Sequence, residues 1–131
     1  MKRYTLSKKE RLCKRKTIKQ LFEQGNSFLI FPYKVIWMDF DIEPKLPAKF
    51  GVTVSKKNFK SAVKRNRIKR LSREAYRLNK HVLYKASTQK EKTRVFMLIY
   101  ISRDILSFGQ IEGKIILILR RLSMINEKTA K

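Results

Sequence analysis

The sequence predicts an α+β fold in which helices pack on one side of a small sheet. Three segments carry apolar residues at helical spacing, and the segments between them are rich in β-branched and aromatic residues. The two kinds alternate in the order helix, strands, helix, strand, helix, which is typical of a layered α+β structure. With 131 residues, 43% of them apolar, the chain can bury a core without a metal or disulfides. We therefore expect one domain over 1–131, with a basic arm over 1–14 and a disordered tail over 126–131.

The first predicted element is a short amphipathic helix. It starts near Arg15, and Ile18, Leu21 and Phe22 share one of its faces. Gly25 follows as the residue that ends it, in the C′ position that glycine favours.

Two strands are predicted next. Residues 28–40 are rich in aromatic and β-branched residues and are interpreted as one strand, whose start is blunted by Pro32. A loop over 41–47 follows, and residues 49–55 form the second strand. We expect these two strands to pair as a hairpin.

The central predicted helix, over 61–79, has two different faces. One is an apolar stripe formed by Ile68, Leu71, Ala75 and Leu78. The other face has Asn66 among the cations Arg65, Lys69, Arg70, Arg73 and Arg77. Like charges one turn apart weaken an isolated helix. Such a face therefore indicates an extended polyanion as its partner.

The C-terminal half predicts a polar loop, a strand and a last helix. The loop covers 80–94, and the apolar run 95–101 is the strand. Ser107 is suited to cap a helix that ends near Ile125. Its buried face is expected to comprise Ile111, Ile115, Ile118, Leu119 and Leu122, extended by Ile116 and Leu117.

Charge narrows the class of partner. The net charge is +23, from 33 Lys and Arg against 10 Asp and Glu, which favours nucleic acid over acidic membranes or acidic proteins. Between Lys56 and Lys85 there are twelve Lys and Arg and one acid, Glu74. A merely solvated surface normally mixes both signs. Arginine outnumbers lysine on the central helix, which favours bidentate contacts with phosphates.

Nothing in the sequence predicts catalysis or metal binding by side chains. The acids are scattered, His81 is the sole histidine, and no glycine-rich phosphate loop is present. Cys13 is the only cysteine, so no intramolecular disulfide is possible and a reducing, cytoplasmic setting is expected. The longest apolar run is too short to cross a membrane, and we see no signal peptide. Most of the strand aromatics are expected to be core, but Phe31, Tyr33, Lys34 and Trp37 also offer a stacking surface for bases, interleaved with charge.

A family resemblance rests on the middle of the chain. The residues that carry it are Ser55-Lys56-Lys57 after a strand, then Ala62-Val63-Lys64-Arg65-Asn66-Arg67-Ile68-Lys69-Arg70-Leu71, with Arg73-Glu74-Ala75 beyond. This pattern resembles the bacterial ribonuclease P protein component. The short helix ending Leu21-Phe22-Glu23-Gln24-Gly25, the strands and the apolar last helix also fit that family.

The resemblance implies a fold and a set of partners. The fold would be a small central sheet of about four strands packed with three helices, with a left-handed βαβ crossover around the arginine-rich helix (ribosomal-protein-S5-domain-2-like). The protein would bind a catalytic ribonuclease P RNA and precursor tRNA, without a membrane or an obligate protein partner. The RNA would cleave the 5′ leader, with Mg²⁺ held by the RNA and the substrate.

The resemblance also implies two groups of site residues. Those facing the RNA subunit would be Lys64, Arg65, Asn66, Arg67, Lys69, Arg70 and Arg73. Those contacting the single-stranded leader, in a cleft between the first helix and the sheet, would be Ile18, Phe22, Tyr33, Ile36, Lys56 and Lys57. Ile18 stands where many members have phenylalanine, which shifts stacking towards Phe22 or Tyr33.

Two other functions fit the charge and size. A structural ribosomal protein would bind ribosomal RNA tightly and leave precursor tRNA cleavage unaffected. A DNA-binding or architectural protein lacks support, because the helix has arginines throughout instead of a few base-reading side chains and no helix-turn-helix pair is evident.

Overall fold

A computed structural model describes residues 10–12, 14–41, 46–86 and 92–125. These residues form an α+β structure with a four-stranded sheet, as the sequence predicts for the class. The elements are α1 (Arg15–Gln24), β1 (Asn26–Ile30), β2 (Tyr33–Phe40), β3 (Ala48–Val54), α2 (Ala62–Asn79), α3 (His81–Ala86), β4 (Thr93–Tyr100) and α4 (Phe108–Met124). The strand order in the sheet is β1-β2-β4-β3. Residues 1–9, Cys13, Pro44 and the tail over 126–131, for which the sequence carries expectations, lie outside the described residues.

The last strand in the chain, β4, is an inner strand of the sheet. It pairs antiparallel with β2 and parallel with β3, so the predicted hairpin between β2 and β3 is wrong. The physical reason is that β4 is apolar on both faces, and only an inner strand covered by both layers buries both faces. The parallel pair β3–β4 is joined through α2, which gives the expected βαβ crossover; its left hand stays a prediction.

Helices cover both faces of the sheet, so the prediction of helices on one side is wrong. Val35 and Trp37 of β2 point into a core shared with α2 and α4. Ile36, between them, packs with Leu21 of α1 on the opposite face. Because neighbouring side chains on a strand alternate between faces, two apolar sets along β2 require two covering layers.

The predicted single strand over 28–40 is two strands. Phe31 and Pro32 form the turn between β1 and β2, which pair antiparallel, and the peptide between these two residues is cis. Proline cannot donate a ladder hydrogen bond, so it sits at the turn instead of inside a strand. The predicted loop over 80–94 contains the short helix α3, on which Leu83 is fully buried.

The two long helices form where the sequence predicts them. Ser107 and Gln110 make a capping box at the start of α4, and the five apolar residues expected on its buried face are all buried. Leu117 does not extend that face, because its side chain is 46% exposed. On α2, Ser72 and Tyr76 are buried where Leu71 and Leu78 were expected, so the buried face is rotated around the helix.

Gly25 ends α1 for a reason other than the predicted one. Its φ is −70°, so it does not use the left-handed conformation of a C′ glycine. A Cβ at this position would lie 2.4 Å from the Leu21 carbonyl oxygen and 2.8 Å from Cγ2 of Ile36. Glycine is required here because the chain turns close against α1 and β2.

A buried guanidinium fixes α4 to the sheet. Arg94 donates to both carboxylate oxygens of Asp39, each at 2.8 Å, and to the carbonyls of Leu122 and Ile125 at 2.5 and 2.9 Å. Its Cζ lies 4.5 Å from the ring centroid of Trp37. These contacts satisfy the buried charge and two of the carbonyls at the end of α4.

Candidate nucleic-acid interface

The first candidate surface is the outer side of α2. Ser61 caps this helix by accepting a hydrogen bond from the amide of Lys64 at 3.3 Å. We call the α2 basic face the set of exposed side chains Lys64, Asn66, Arg67, Arg70 and Arg73. Glu74, the one acid of α2, pairs with Arg77 at 2.5 Å, and this contact lowers the pKa of Glu74. The face therefore offers four exposed cations, with Asn66 among them, to a polyanion.

Arg65 has a different role from its neighbours. Its Nη1 donates to the carbonyl oxygens of Phe59 at 2.8 Å and Lys60 at 3.0 Å, and the side chain is half-buried. The guanidinium therefore holds the connection between β3 and α2. Lys69 is also half-buried, so these two predicted RNA contacts lie on the flank of the helix and not on its outermost side.

The second candidate surface is a cleft of about 480 Å³, called here the α1 cleft. It lies between α1, β3 and the segment 10–12. Its lining residues are Arg11, Leu12, Ile18, Phe22, Phe50, Gly51, Val52, Thr53, Arg73 and Met97. The lining is mostly apolar with a cation at two points, which suits a ligand with flat apolar groups and negative charges.

Gly51 allows the walls of this cleft to approach one another. A Cβ on Gly51 would lie 3.0 Å from Cε of Met97 and 3.3 Å from Cβ of Leu12. Because the glycine has no side chain, the segment containing Leu12 can lie directly against β3. The Leu12 amide donates to the carbonyl of Phe50 at 2.8 Å, which holds it there.

Two of the predicted leader-binding residues line the cleft. Phe22 is 48% exposed, so part of its ring is available to a ligand, while Ile18 beside it is half-buried. Exposure of a large aromatic ring next to a basic helix is typical of surfaces that stack unpaired bases. Phe22 is therefore the stacking candidate that the structure retains.

Two other predicted residues do not reach the cleft. Tyr33 is fully buried on the opposite face of the sheet, where its hydroxyl is 2.5 Å from Oγ of Ser72 and burial raises its pKa. Ile36 is buried beneath α1. Trp37 is also buried, so the alternative of an aromatic stacking surface on this strand is wrong for Tyr33 and Trp37. The alternation of β2 directs these odd-numbered side chains into the core.

Lys56 and Lys57 are exposed in the turn that follows β3. The Ser55 hydroxyl accepts a hydrogen bond from the Lys57 amide at 3.0 Å, which shapes this turn. Neither lysine lines the cleft itself. They follow Thr53 closely in the chain, and Thr53 does line the cleft.

Sequence reasoning missed seven cleft residues, namely Arg11, Leu12, Phe50, Gly51, Val52, Thr53 and Met97. Arg11 and Leu12 belong to a segment that has no periodic pattern, and their place depends on pairing with a strand nearly forty positions later in the chain. Thr53 follows from the alternation of β3, once Phe50 is known to face the helical core. Arg73 was assigned to the α2 basic face alone, but it also lines the cleft, so the two surfaces meet there.

Within the described ranges, no group of three or more His, Cys, Asp or Glu side chains is placed to hold a metal ion. No helix in the described part of the chain combines the length and hydropathy needed to span a bilayer.

A family model and a curated relative both match most of the chain. The family model described as Ribonuclease P matches residues 6–122. The chain is 37% identical over 109 residues to the ribonuclease P protein component of Porphyromonas gingivalis, covering 83% of this chain and 80% of that protein.

Solved structures agree on the fold. The RNase P protein of Staphylococcus aureus superposes with a TM-score of 0.67 at 21% identity, covering 89% of this chain and 98% of the other. The RNase P protein from Thermotoga maritima superposes with a TM-score of 0.67 at 24% identity, covering 86% of this chain and 96% of the other. Both likenesses show a shared arrangement of helices and strands.

Proposed function

The chain belongs to the ribonuclease P protein family, and we propose that it docks on the catalytic RNA through the α2 basic face and holds the precursor tRNA leader in the α1 cleft. Ribonuclease P is an RNA-based endoribonuclease that processes the 5′ ends of tRNA, so RNA binding and tRNA processing follow from the family. Membership also decides against the alternative of a structural ribosomal protein.

Docking through α2 is supported by its charge and geometry. Arg67 and Arg70 are exposed, and neither forms an ion pair with a carboxylate of the residues that the structure describes. A folded RNA presents phosphates at many points along a helix of this length. Arginine forks bind such phosphates in a bidentate manner, and the counterions released on binding make the association salt-dependent.

The cleft is proposed for single-stranded RNA because its lining matches unpaired nucleotides. Unstacked bases bind aromatic and apolar side chains, here Phe22 and Ile18, while cations hold the intervening phosphates. The observation that carries the proposal is the position of Arg73, which belongs both to the exposed face of α2 and to the cleft lining. A leader in the cleft would therefore lie beside the docked RNA subunit.

We assign the Mg²⁺ of the reaction to the RNA subunit and its substrate. Among the residues that the structure describes, no group of three or more His, Cys, Asp or Glu side chains could hold a metal ion. The protein residues act instead by binding and orienting RNA chains. We also propose a cytoplasmic location, where precursor tRNA is made in bacteria.

The decisive experiment is reconstitution. Purified protein is combined with the cognate RNA subunit and a precursor tRNA at low Mg²⁺, and cleavage is timed with and without the protein. We expect faster cleavage with the protein, because its cations strengthen substrate binding. Unchanged cleavage would refute the proposed function.

The cleft assignment has its own test with a matched control. Phe22 and Phe31 are both exposed, at 48% and 56%, but only Phe22 lines the α1 cleft. Phe22→Ala should weaken binding of precursor tRNA with an extended leader by about 1–3 kcal/mol, the range for one stacked base. Phe31→Ala should leave it unchanged. Equal losses in both variants would show that the leader is not held in this cleft.

A further inference from the structure

A buried ion pair fixes the N-terminal segment to the helical layer. The carboxylate of Glu10 lies 2.7 Å from Nζ of Lys80, and the two side chains are 10% and 6% exposed. The hydroxyl of Tyr84 donates to the same carboxylate oxygen. We call Glu10, Lys80 and Tyr84 the Glu10 latch; it joins two segments that are 70 positions apart.

The residues immediately after Glu10 form a wall of the α1 cleft. Arg11 makes a parallel bridge with Phe50, and the Leu12 amide donates to the Phe50 carbonyl. Both Arg11 and Leu12 line the cleft, and α1 begins shortly afterwards at Arg15. The placement of this wall and the entry to α1 therefore share one anchored segment.

The strand pairing alone is a weak attachment. It consists of the isolated bridge from Arg11 to Phe50 and the hydrogen bond from the Leu12 amide, and such short pairings are marginal in water. The latch differs because its carboxylate is removed from water and depends on the ammonium and hydroxyl donors for compensation. Burial, followed by the neighbouring Tyr76, raises the pKa of Tyr84, so this hydroxyl stays protonated and remains a donor.

From this geometry we infer that Glu10 is a positioning residue for leader binding: through Lys80 and Tyr84 it holds Arg11 and Leu12 as the wall of the α1 cleft. The inference rests on the proposed function, since it assumes that the cleft receives the leader. The inference adds a structural link between Lys80, at the end of α2, and the cleft. This link does not involve the α2 basic face.

The test uses Glu10→Gln in the reconstituted holoenzyme. Dissociation constants are measured for precursor tRNA with an extended leader and with a leader trimmed to one nucleotide. We expect the extended leader to bind about tenfold more weakly than to the unsubstituted protein, and the trimmed substrate to bind equally. The sign is informative because losing a negative charge would by itself strengthen RNA binding.

A matched control separates charge from position. Glu23→Gln also removes one carboxylate, from an exposed site on α1 that does not line the cleft. Its affinity for both substrates should be unchanged or slightly increased. A second variant, Tyr84→Phe, removes one latch donor while keeping the ion pair. Its affinity for the extended leader should fall less than that of Glu10→Gln, and it replaces Glu10→Gln as the test if that variant fails to fold.

A spectroscopic measurement distinguishes positioning from general destabilisation. Amide hydrogen exchange of Leu12 should accelerate at least tenfold in the latch variants, while buried amides of α4 keep their protection. If α4 and Leu12 lose protection together and leader affinity is retained below the melting temperature, the latch is only structural and the inference is wrong.

The remaining outcomes separate the inference from the function on which it rests. If the unsubstituted holoenzyme binds both substrates equally, the cleft assignment fails and the inference fails with it. If it favours the extended leader and Glu10→Gln does so equally, only the inference is overturned.

Discussion

Replacing Arg67 and Arg70 together by alanine tests the α2 basic face directly. Both side chains are exposed, and none of the hydrogen bonds or ion pairs described above involves them. Alanine is at least as good a helix former as arginine, so the free energy of unfolding should change by less than about 0.5 kcal/mol. Any large effect on RNA binding would therefore come from lost contacts with phosphates.

The expected magnitude follows from counterion release. Each phosphate contact contributes about 0.7–0.9 to the slope of log affinity against log salt concentration. For the RNA subunit, the double variant should reduce the magnitude of that negative slope by about 1.5. The assay is a fluorescence anisotropy titration of labelled RNA subunit over a series of salt concentrations at constant Mg²⁺.

The control removes the same charge elsewhere. Arg103 and Arg120 are exposed, and neither lies on α2. Arg103→Ala with Arg120→Ala should leave the slope nearly unchanged. If both double variants lower the slope equally, general positive charge binds the RNA; if the α2 variant has no effect, this face is not the docking surface.

Other consequences concern folding. Arg65→Ala should lower the free energy of unfolding by about 1–2 kcal/mol, since its guanidinium holds two carbonyls before α2, and a thermal melt indistinguishable from the unsubstituted protein would argue against that role. Gly25→Ala should destabilise the protein by about 1–3 kcal/mol, because the new Cβ meets backbone. Gly113→Ala, with nothing within 4 Å of the new Cβ, should stabilise it by about 0.5–1 kcal/mol. Urea unfolding would contradict this packing argument if the free energy of unfolding changed in the same direction in both variants. Stability should fall as pH rises above about 10, because burial raises the pKa of Tyr33 and Tyr76, so that the unfolded chain loses protons that the folded chain keeps. Urea midpoints that stay constant from about pH 9 to about pH 12 would exclude this linkage.

Local patterns predicted the long helices well, and their details less well. The limits of α2 and α4 follow from Ser61 and Ser107, whose hydroxyls cap the first turn of each helix. The inward face of α2 was predicted from apolar residues alone. It turned out to include Ser72 because that hydroxyl is satisfied by the Ile68 carbonyl and Tyr33, which no helical periodicity reveals.

Of the candidate site, the part that depends on local sequence was predicted and the part that depends on long-range contacts was not. The α2 basic face depends on residues close together in the sequence, and a one-signed face is visible from spacing alone. Tyr33 was misassigned because an alternating strand has two faces, and the sequence does not say which one is core. Ile36 was misassigned because the position of α1 over the sheet is a long-range contact.

The sequence by itself determined the class of fold, the family, the polyanion partner and the helix that carries a one-signed basic face. Each depends on composition, local periodicity or a contiguous motif. Only the tertiary structure decided the strand order, the two-sided covering of the sheet and the composition of the α1 cleft. These depend on where β4 inserts and on how Arg11, Leu12 and Arg73 meet across the fold. Such contacts between distant residues are selected by the burial of whole surfaces, and no short stretch of sequence encodes them.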